Sequence, residues 1–281
     1  MNEKYIAGLI DADGHLSVRT RIDATPDLEI SIAQRTKYLD VLKQIQDEFG
    51  GTIRRKQNAD YDNSELQMRC GPARKCMERL KKYMVLKRHH AEMFIDLVDN
   101  ASVLKTQEDV QRIRRRVKEI RRYGANRLPN FPAKKWLAGY VDGDASFNVK
   151  VCSKTGYAYP SISIMAAPNY EAGIVIIQQA FNGKICSVKN NALYQLQLPP
   201  SKAKQFFEYF AKYLIIKKPQ AYYLFECAKN GNYRDGDTIR EHIKLLNDAQ
   251  QHRLSDSVEE AILLARKVNF SIDAKWVRRM R

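Results

Sequence analysis

An α+β fold made of two copies of one helix–hairpin–helix–hairpin–helix unit is what this sequence predicts. Three observations carry that expectation. Ile6-Ala7-Gly8-Leu9-Ile10-Asp11-Ala12-Asp13-Gly14 recurs as Leu137-Ala138-Gly139-Tyr140-Val141-Asp142-Gly143-Asp144-Ala145. Sliding the chain by about 130 residues brings further landmarks together in the same order. Phe49-Gly50-Gly51 meets Phe181-Asn182-Gly183, Leu66-Gln67-Met68 meets Leu196-Gln197-Leu198, Tyr83-Met84-Val85-Leu86-Lys87 meets Tyr213-Leu214-Ile215-Ile216-Lys217, and Ala91 meets Ala221. Between these landmarks the apolar pattern switches between strand-like alternation and helical stripes.

Asn2 to Asp11 reads as the first helix, with Ala7-Gly8 in its middle. Gly inside an apolar helix costs stability, so its presence in both copies points to close backbone approach. The simplest geometry is two helices packed side by side through Ala-Gly, each sending an acid out at a common end. The two acids that end each copy are one residue apart and point to different sides, so they divide two roles. Asp13 and Asp144 are the projecting pair, while Asp11 and Asp142 suit capping or interface hydrogen bonds.

His15 to Ile22 alternates polar and apolar residues and reads as a strand. Leu28 to Ala33 alternates too, after a turn at Thr25-Pro26-Asp27. Tyr38 to Phe49 is a helix with Leu39, Leu42, Ile45 and Phe49 on one face, stopped by Gly50-Gly51. Thr52 to Lys56 and Glu65 to Cys70 form a second hairpin. Pro72 opens a helix with Cys76, Met77, Leu80 and Met84 as its stripe. Glu108 to Arg122 is a very basic helix. The Gly- and Pro-bearing stretch 124–132 is the expected linker between an N-terminal repeat, 1–123, and a C-terminal repeat, 133–281. In the second repeat Ser146 to Val151, Ser161 to Ile164 and Tyr194 to Leu198 alternate. Pro199-Pro200 ends the last of these strands, and Ser201 is placed to cap the next helix. A helical remainder ends in the basic tail Lys275 to Arg281.

The chain has 281 residues, with Lys+Arg 48 against Asp+Glu 32, a net charge of +16. Such an excess points to a polyanionic partner, most commonly nucleic acid. A membrane is the rival, but no apolar run reaches spanning length and no basic amphipathic anchor stands out. A hydrophobic content of 44% supports a true core. The five cysteines show no metal-type spacing and read as free thiols in a reducing, intracellular compartment. The first motif begins so early that no targeting segment is expected, and an organelle, bacterial or phage setting stays open.

Tandem Ala-Gly-(apolar)2-Asp-x-Asp helices, each followed by two alternating hairpins and a Lys-bearing helix, resemble the LAGLIDADG homing endonucleases of the single-chain, two-motif kind. The resemblance covers nearly the whole chain. It implies two pseudo-symmetric αββαββα repeats with the motif helices at their interface and two antiparallel sheets forming a saddle over duplex DNA. It implies a monomer that hydrolyses phosphodiester bonds on both strands of a long target. Mg2+ is the implied cofactor, with Mn2+ as a substitute and Ca2+ as an occupant without turnover.

Hydrolysis of a phosphodiester needs an activated water and charge neutralisation, which hard divalent cations on carboxylate oxygens supply. Two carboxylates brought together repel unless a cation lies between them. Asp13 and Asp144 are therefore the candidate catalytic and metal-binding pair, with the backbone of Gly14 or Ala145 as a further donor. By resemblance, Lys87 and Lys217 lie near the scissile phosphates, where an ammonium stabilises charge or orders water. Gln34, just after the second strand, takes the position of the family's water-orienting polar residue. Its counterpart is Ala166, so the two half-sites are expected to be unequal, with Asn169 or water alone serving the second. Ala145 stands where the family usually has Gly.

Sequence reading is expected from the outward strand faces. In the first repeat these carry His15, Ser17, Arg19, Arg21, Glu29, Ser31, Arg54, Lys56, Glu65, Gln67 and Arg69. In the second they carry Ser146, Asn148, Lys150, Ser161, Ser163, Lys184, Gln195 and Gln197. Such side chains read base edges, and a β-ribbon fits the major groove. The two faces differ, so the target is expected to be asymmetric double-stranded DNA. The Arg112 to Arg122 run and the Arg278 to Arg281 tail suit phosphate. His89-His90 reads as structural or phosphate-facing. Two other readings stand beside the nuclease: an RNA-binding group I intron maturase on the same fold, with its own intron RNA as partner, and a DNA-binding regulator without cleavage. The maturase would need neither acid, and the retention of both Asp13 and Asp144 favours the nuclease.

Overall fold

The computed structural model describes residues 1–57, 62–122, 133–166, 171–188, 193–198, 200–229 and 236–248. The expected linker, Asn169 and the basic tail lie outside the described residues. Contacts divide the chain into two units, Met1–Gly143 and Asp144–Arg281.

In the first unit, α1 (Glu3–Asp13) starts at Asn2, whose side chain accepts from the Lys4 N–H at 3.1 Å. It runs directly into β1 (Gly14–Arg19), which pairs antiparallel with β2 (Asp27–Arg35) in the register Gly14 with Ile32. A short 3-10 turn at Thr36–Tyr38 leads into α2 (Leu39–Phe49). This helix ends where Gly50 and Gly51 adopt positive φ, 86° and 110°, a conformation open to glycine without steric cost. β3 (Thr52–Gln57) and β4 (Asp62–Arg69) follow, and β4 also pairs with β2, giving the sheet order β1-β2-β4-β3. Leu16, Val18, Leu28, Ile30, Ile32, Leu66 and Met68 form the buried face of this sheet. Over that face lie α2, α3 (Gly71–Leu80) and α4 (Arg88–Asp99). α5 (Gln107–Ile120) is opened by a capping box between Thr106 and Asp109 and packs on β1 and α4.

Several boundaries differ from the alternation pattern: β2 and β4 run longer, and two other shifts relocate residues. β1 stops at Arg19 instead of running to Ile22. Asp23 takes φ 57°, its N–H donates to the Leu104 carbonyl at 2.8 Å, and Ala24 bridges to Leu104, which pulls the chain off the sheet. Ile22 is consequently 49% exposed instead of core, and Arg21 lies beyond the strand face. α3 stops at Leu80, so Met84 is buried from the following turn and not from a continuous helical stripe.

α6 (Lys134–Asp144) carries the second motif, and its residues up to Gly143 belong to the first unit. It packs on α1 backbone to backbone. A Cβ on Gly8 would lie 2.0 Å from the Trp136 carbonyl oxygen, and one on Gly139 would lie 2.0 Å from that of Tyr5. The contact is flanked by a reciprocal pair of hydrogen bonds. Trp136 Nε1–H donates to Asp11 at 2.8 Å, and the Tyr5 hydroxyl donates to Asp142 at 2.6 Å. Asp11 and Asp142 thus make the interface bonds expected of them. Asp11 also accepts from the backbone N–H groups of Val85 and Lys87, at 2.6 and 2.8 Å. Burial pushes the Asp11 carboxyl above its ordinary range, a shift opposed by these donors and by the Lys87 charge.

The second unit repeats the plan. β5 (Ala145–Val151) pairs with β6 (Ala158–Ala166) in the register Ala145 with Ile164, matching Gly14 with Ile32. α7 (Ala172–Phe181), β7 (Lys184–Val188), β8 (Leu193–Gln197), α8 (Pro200–Phe210), α9 (Lys218–Lys229) and α10 (Gly236–Asp248) complete it. The sheet order β5-β6-β8-β7 has the topology of the first. Asn182 replaces Gly50 at the helix end and takes φ 53°, which Asn tolerates better than most residues. Ser201 lies inside α8 instead of capping it, because the helix already starts at Pro200, a residue suited to the first turn. Phe147, Phe181, Phe206, Phe207 and Phe210 pack largely edge-on, with Phe206 and Phe210 centroids 4.5 Å apart.

Gly8→Val is expected to destabilise the protein by more than about 2 kcal/mol, because the new side chain meets a backbone carbonyl that cannot yield. Gly71→Ala, with nothing within 4 Å of its Cβ position, should leave the urea midpoint unchanged or raise it. Equal behaviour of the two variants would contradict the packing described.

Candidate active site

Asp13 is the last residue of α1, where the helix dipole presents its negative end. A carboxylate there needs positive and hydrogen-bonding partners, and two neighbouring elements supply them. Lys87 lies between α3 and α4, at the start of α4, and is only 8% exposed. Its ammonium donates to the carbonyls of Ile10, Ala12 and Gly14 at 2.8, 3.2 and 2.7 Å. Three N–H donors thus meet three carbonyls, two of which flank Asp13. The expectation of a Lys within a helix is corrected: the non-helical residues Lys81 to Leu86 separate α3 from Lys87, and the Asp11 carboxylate fixes the Lys87 backbone.

Gln34 lies within β2 and not after it, because the strand continues to Arg35. Its parity is that of Leu28, Ile30 and Ile32, so it points to the covered side of the sheet and is 9% exposed. There its Nε2–H donates to Asp13 Oδ2. Gly143 passes close to the same carboxylate: a Cβ on it would lie 2.3 Å from the Ala12 Cβ and 3.1 Å from Asp13 Oδ2. This role of Gly143 was not anticipated, although Asp-Gly-Asp against Asp-Ala-Asp is the visible trace of it.

Asp144 is the last residue of α6, as Asp13 is of α1, and is half-buried. Ala166 stands two residues past Ile164, as Gln34 stands two past Ile32, so the register makes them equivalent. A methyl group there has no donor to offer. Lys217 precedes α9 as Lys87 precedes α4, and the carbonyls of both accept from the residue four ahead, Ala221 at 3.0 Å and Ala91 at 2.9 Å. Lys217 is half-buried.

In the first unit the available donors are the Asp13 carboxylate and backbone carbonyls, and in the second the Asp144 carboxylate stands at the equivalent helix end; both offer only oxygen. Among the described residues no group of three or more His, Cys, Asp or Glu forms a protein cage for a metal. Such a set fits a cation of the Mg2+ kind, which keeps waters and takes phosphate oxygens as ligands. The Gly14 carbonyl already accepts from Lys87, which leaves the carboxylates as the principal donors.

The solvent face of the first sheet gathers His15, Ser17 and Arg19 from β1, Glu29 and Ser31 from β2, Arg54 and Lys56 from β3, and Gln67 and Arg69 from β4. Arg35 and Asn63, paired across β2 and β4, extend this face; they were missed because β2 ends later and β4 starts earlier than the alternation suggested. Glu29 accepts from Gln67 Nε2 and from Arg69 Nε at 3.2 Å, and Glu65 pairs with Lys56 at 2.6 Å. α5 buries Val110, Ile113, Val117 and Ile120 and exposes Arg112, Arg114, Arg115, Arg116 and Lys118. From its end, Arg121 reaches His15 Nε2 at 2.8 Å and the Leu16 carbonyl at 3.2 Å. Burial, Arg121 and Lys87 lower the His15 pKa, so the imidazole is neutral at pH 7. His90 is buried and stacks on Phe94, a structural role.

The second sheet places Ser146 and Asn148 from β5, Ser163 from β6, Lys184 from β7, and Gln195 and Gln197 from β8 on one face. Asn148 Nδ2 donates to Ser146 at 2.7 Å, and Gln197 Nε2 to Gln195 at 3.0 Å. Ser161 pairs with Asn148 in the ladder, and Lys150 with Tyr159. Met165 and Cys186, both paired with Gln195, share this face and dilute its polar character.

The family profile of LAGLIDADG endonucleases matches residues 6–98 and 137–228, the two repeats. No curated protein sequence matches the chain. Among solved structures, I-SmaMI bound to uncleaved DNA in the presence of calcium ions aligns with TM-score 0.63 at 16% identity, covering 96% of this chain and 99% of that one. The LAGLIDADG meganuclease I-AabMI bound to uncleaved DNA aligns with TM-score 0.63 at 17% identity, covering 97% and 99%. The homing endonuclease I-GzeII in complex with its DNA target aligns with TM-score 0.59 at 15% identity, covering 98% and 99%. Two profile matches at the two motif helices, on two sheets of identical order, make this chain a two-repeat member of the LAGLIDADG endonuclease family.

Proposed function

We propose that the protein is a site-specific endonuclease that hydrolyses phosphodiester bonds on both strands of a long, asymmetric double-stranded DNA target, acting as a monomer in intron or intein homing. The observation that carries the chemistry is the Asp13 carboxylate at a helix end, held by Gln34 and seated on a backbone neutralised by Lys87. The DNA complexes of I-SmaMI, I-AabMI and I-GzeII support the choice of substrate.

Asp13 and Asp144 would hold a divalent cation, Mg2+ or Mn2+. When bound, that ion supplies Lewis-acid neutralisation of the phosphate and lowers the pKa of a coordinated water. The calcium ions in the I-SmaMI complex with uncleaved DNA favour a site that accepts Ca2+ without turnover. Gln34 fixes one oxygen of Asp13 through its N–H, and its carbonyl oxygen stays available to orient a water. Lys87 holds the end of α1, and with it the Asp13 backbone, against the repulsion between a carboxylate and the helix C-terminus. In the second site Ala166 gives neither of the Gln34 contacts. An RNA-binding maturase would use the same basic surface; the paired acids at equivalent helix ends favour the nuclease.

Incubation of the protein with a plasmid carrying the intronless insertion site of its own gene should give a linear product only with Mg2+ or Mn2+; absence of cleavage under all conditions, with retained RNA binding, would instead favour the maturase. Asp13→Asn and Asp144→Asn should each reduce double-strand cleavage at least about 10²-fold while DNA binding persists. Gln34→Ala should slow one strand about 10–100-fold more than the other, and equal slowing would contradict the inequality of the sites. Lys87→Met strips three carbonyls of their donor and should cost about 1–3 kcal/mol of stability in the protein without DNA or metal, read from the urea midpoint.

A further inference from the structure

We infer that Glu29 and Arg69 act as one base-reading cluster, orientated by Gln67, that selects a G·C pair in the part of the target contacted by the first sheet. The inference rests on the DNA-cleaving function proposed above and adds to it a base identity and the residues that set it.

Glu29 of β2 and Arg69 of β4 are directly paired in the ladder, and Gln67 lies two residues along β4 on the same face. A single carboxylate oxygen, Glu29 Oε1, accepts from Gln67 Nε2 and from Arg69 Nε. The Arg69 guanidinium is therefore held through its inner nitrogen. Its two terminal nitrogens make no hydrogen bond among the described residues, and the Arg69 and Glu29 side chains keep 35% and 20% of their surface in solvent. The cluster offers paired N–H donors beside the remaining carboxylate oxygen, Glu29 Oε2.

That pattern complements one base pair. The major-groove edge of G·C shows two acceptors, guanine N7 and O6, and then one donor, the cytosine N4 amino group. Arginine is the side chain that takes guanine N7 and O6 together, and a carboxylate takes the cytosine amino group. An A·T edge offers acceptor, donor, acceptor, which mismatches the same cluster and would leave its polar groups unpaired once DNA covers them.

Electrostatics supports a reading role over a stabilising one. A partly exposed ion pair adds about 0–1 kcal/mol to stability. Meanwhile Glu29 sets a negative charge on a face that must approach phosphates, a cost that uniform attraction to DNA would avoid. An acid in that position discriminates between sequences by repelling those that cannot satisfy it. At the equivalent position the second sheet carries no acid: Ser161 occupies the ladder position of Glu29, opposite Asn148 as Glu29 is opposite Ser17.

The test is selection of binding sequences from a random duplex library by the full-length protein in Ca2+, followed by the same selection with Arg69→Ala and with Glu29→Gln. The wild type should fix G·C at one position at least about tenfold over any other pair. Arg69→Ala should reduce the preference at that position to within about twofold, Glu29→Gln should weaken it there, and the other positions should be unaltered. An unchanged preference at every position in both variants would overturn the inference, as would a loss spread evenly over all positions, which marks a general effect on binding or folding. Failure of the wild type to enrich any sequence would overturn the DNA-reading function itself, and this inference with it.

Discussion

Backbone contact between α1 and α6 is the constraint on which the rest of the structure depends. With no side chain at Gly8 or Gly139, each helix touches the carbonyl oxygen of the other's first turn. Two helices that close leave no room for water, so every polar group at the contact must find a protein partner. The exchange of Trp136 to Asp11 and Tyr5 to Asp142 meets that demand with the same chemistry on both sides. It also disposes of one acid from each motif. Asp13 and Asp144 are left at the helix ends, where carboxylates are least comfortable and most useful.

The end of α1 illustrates how a functional position is sustained against its local electrostatics. A C-terminal carboxylate opposes the helix dipole, and the Lys87 ammonium answers by neutralising the carbonyls on either side of it. The chain reaches that point because Asp11 grips the backbone of Val85 and Lys87. One motif acid therefore positions the lysine that supports the other. Gln34 adds the direct contact to Asp13, and Ala166 withholds it in the second repeat. Duplication has preserved the scaffold while allowing the chemistry of the two sites to diverge.

The same divergence marks the solvent faces of the two sheets. The first is strongly charged and internally ion-paired, with acids orientating arginine, lysine and glutamine. The described part of the second face relies more on hydroxyl and amide groups, with Met165 and Cys186 among them. α5 adds basic surface beside the first sheet and reaches its edge strand through Arg121.

The repeat, the fold class, the Ala-Gly contact and the interface bonds of Asp11 and Asp142 were legible in the sequence. Each rests on periodicity or on a residue type that only one geometry excuses. The end of β1 was not legible, because it depends on Asp23 and Ala24 meeting Leu104 far along the chain. Nor was the place of Gln34, since a polar residue at a strand end carries no signal of which face it serves until the helix above it is known. The carbonyl partners of Lys87 were not legible either: Ile10 and Ala12 of α1 and Gly14 of β1 surround its ammonium only once the helix has ended beside it. Sequence by itself determined which groups were present and in what repeat. Tertiary structure decided which of them meet, because hydrogen bonds between elements depend on distances that local patterning does not encode.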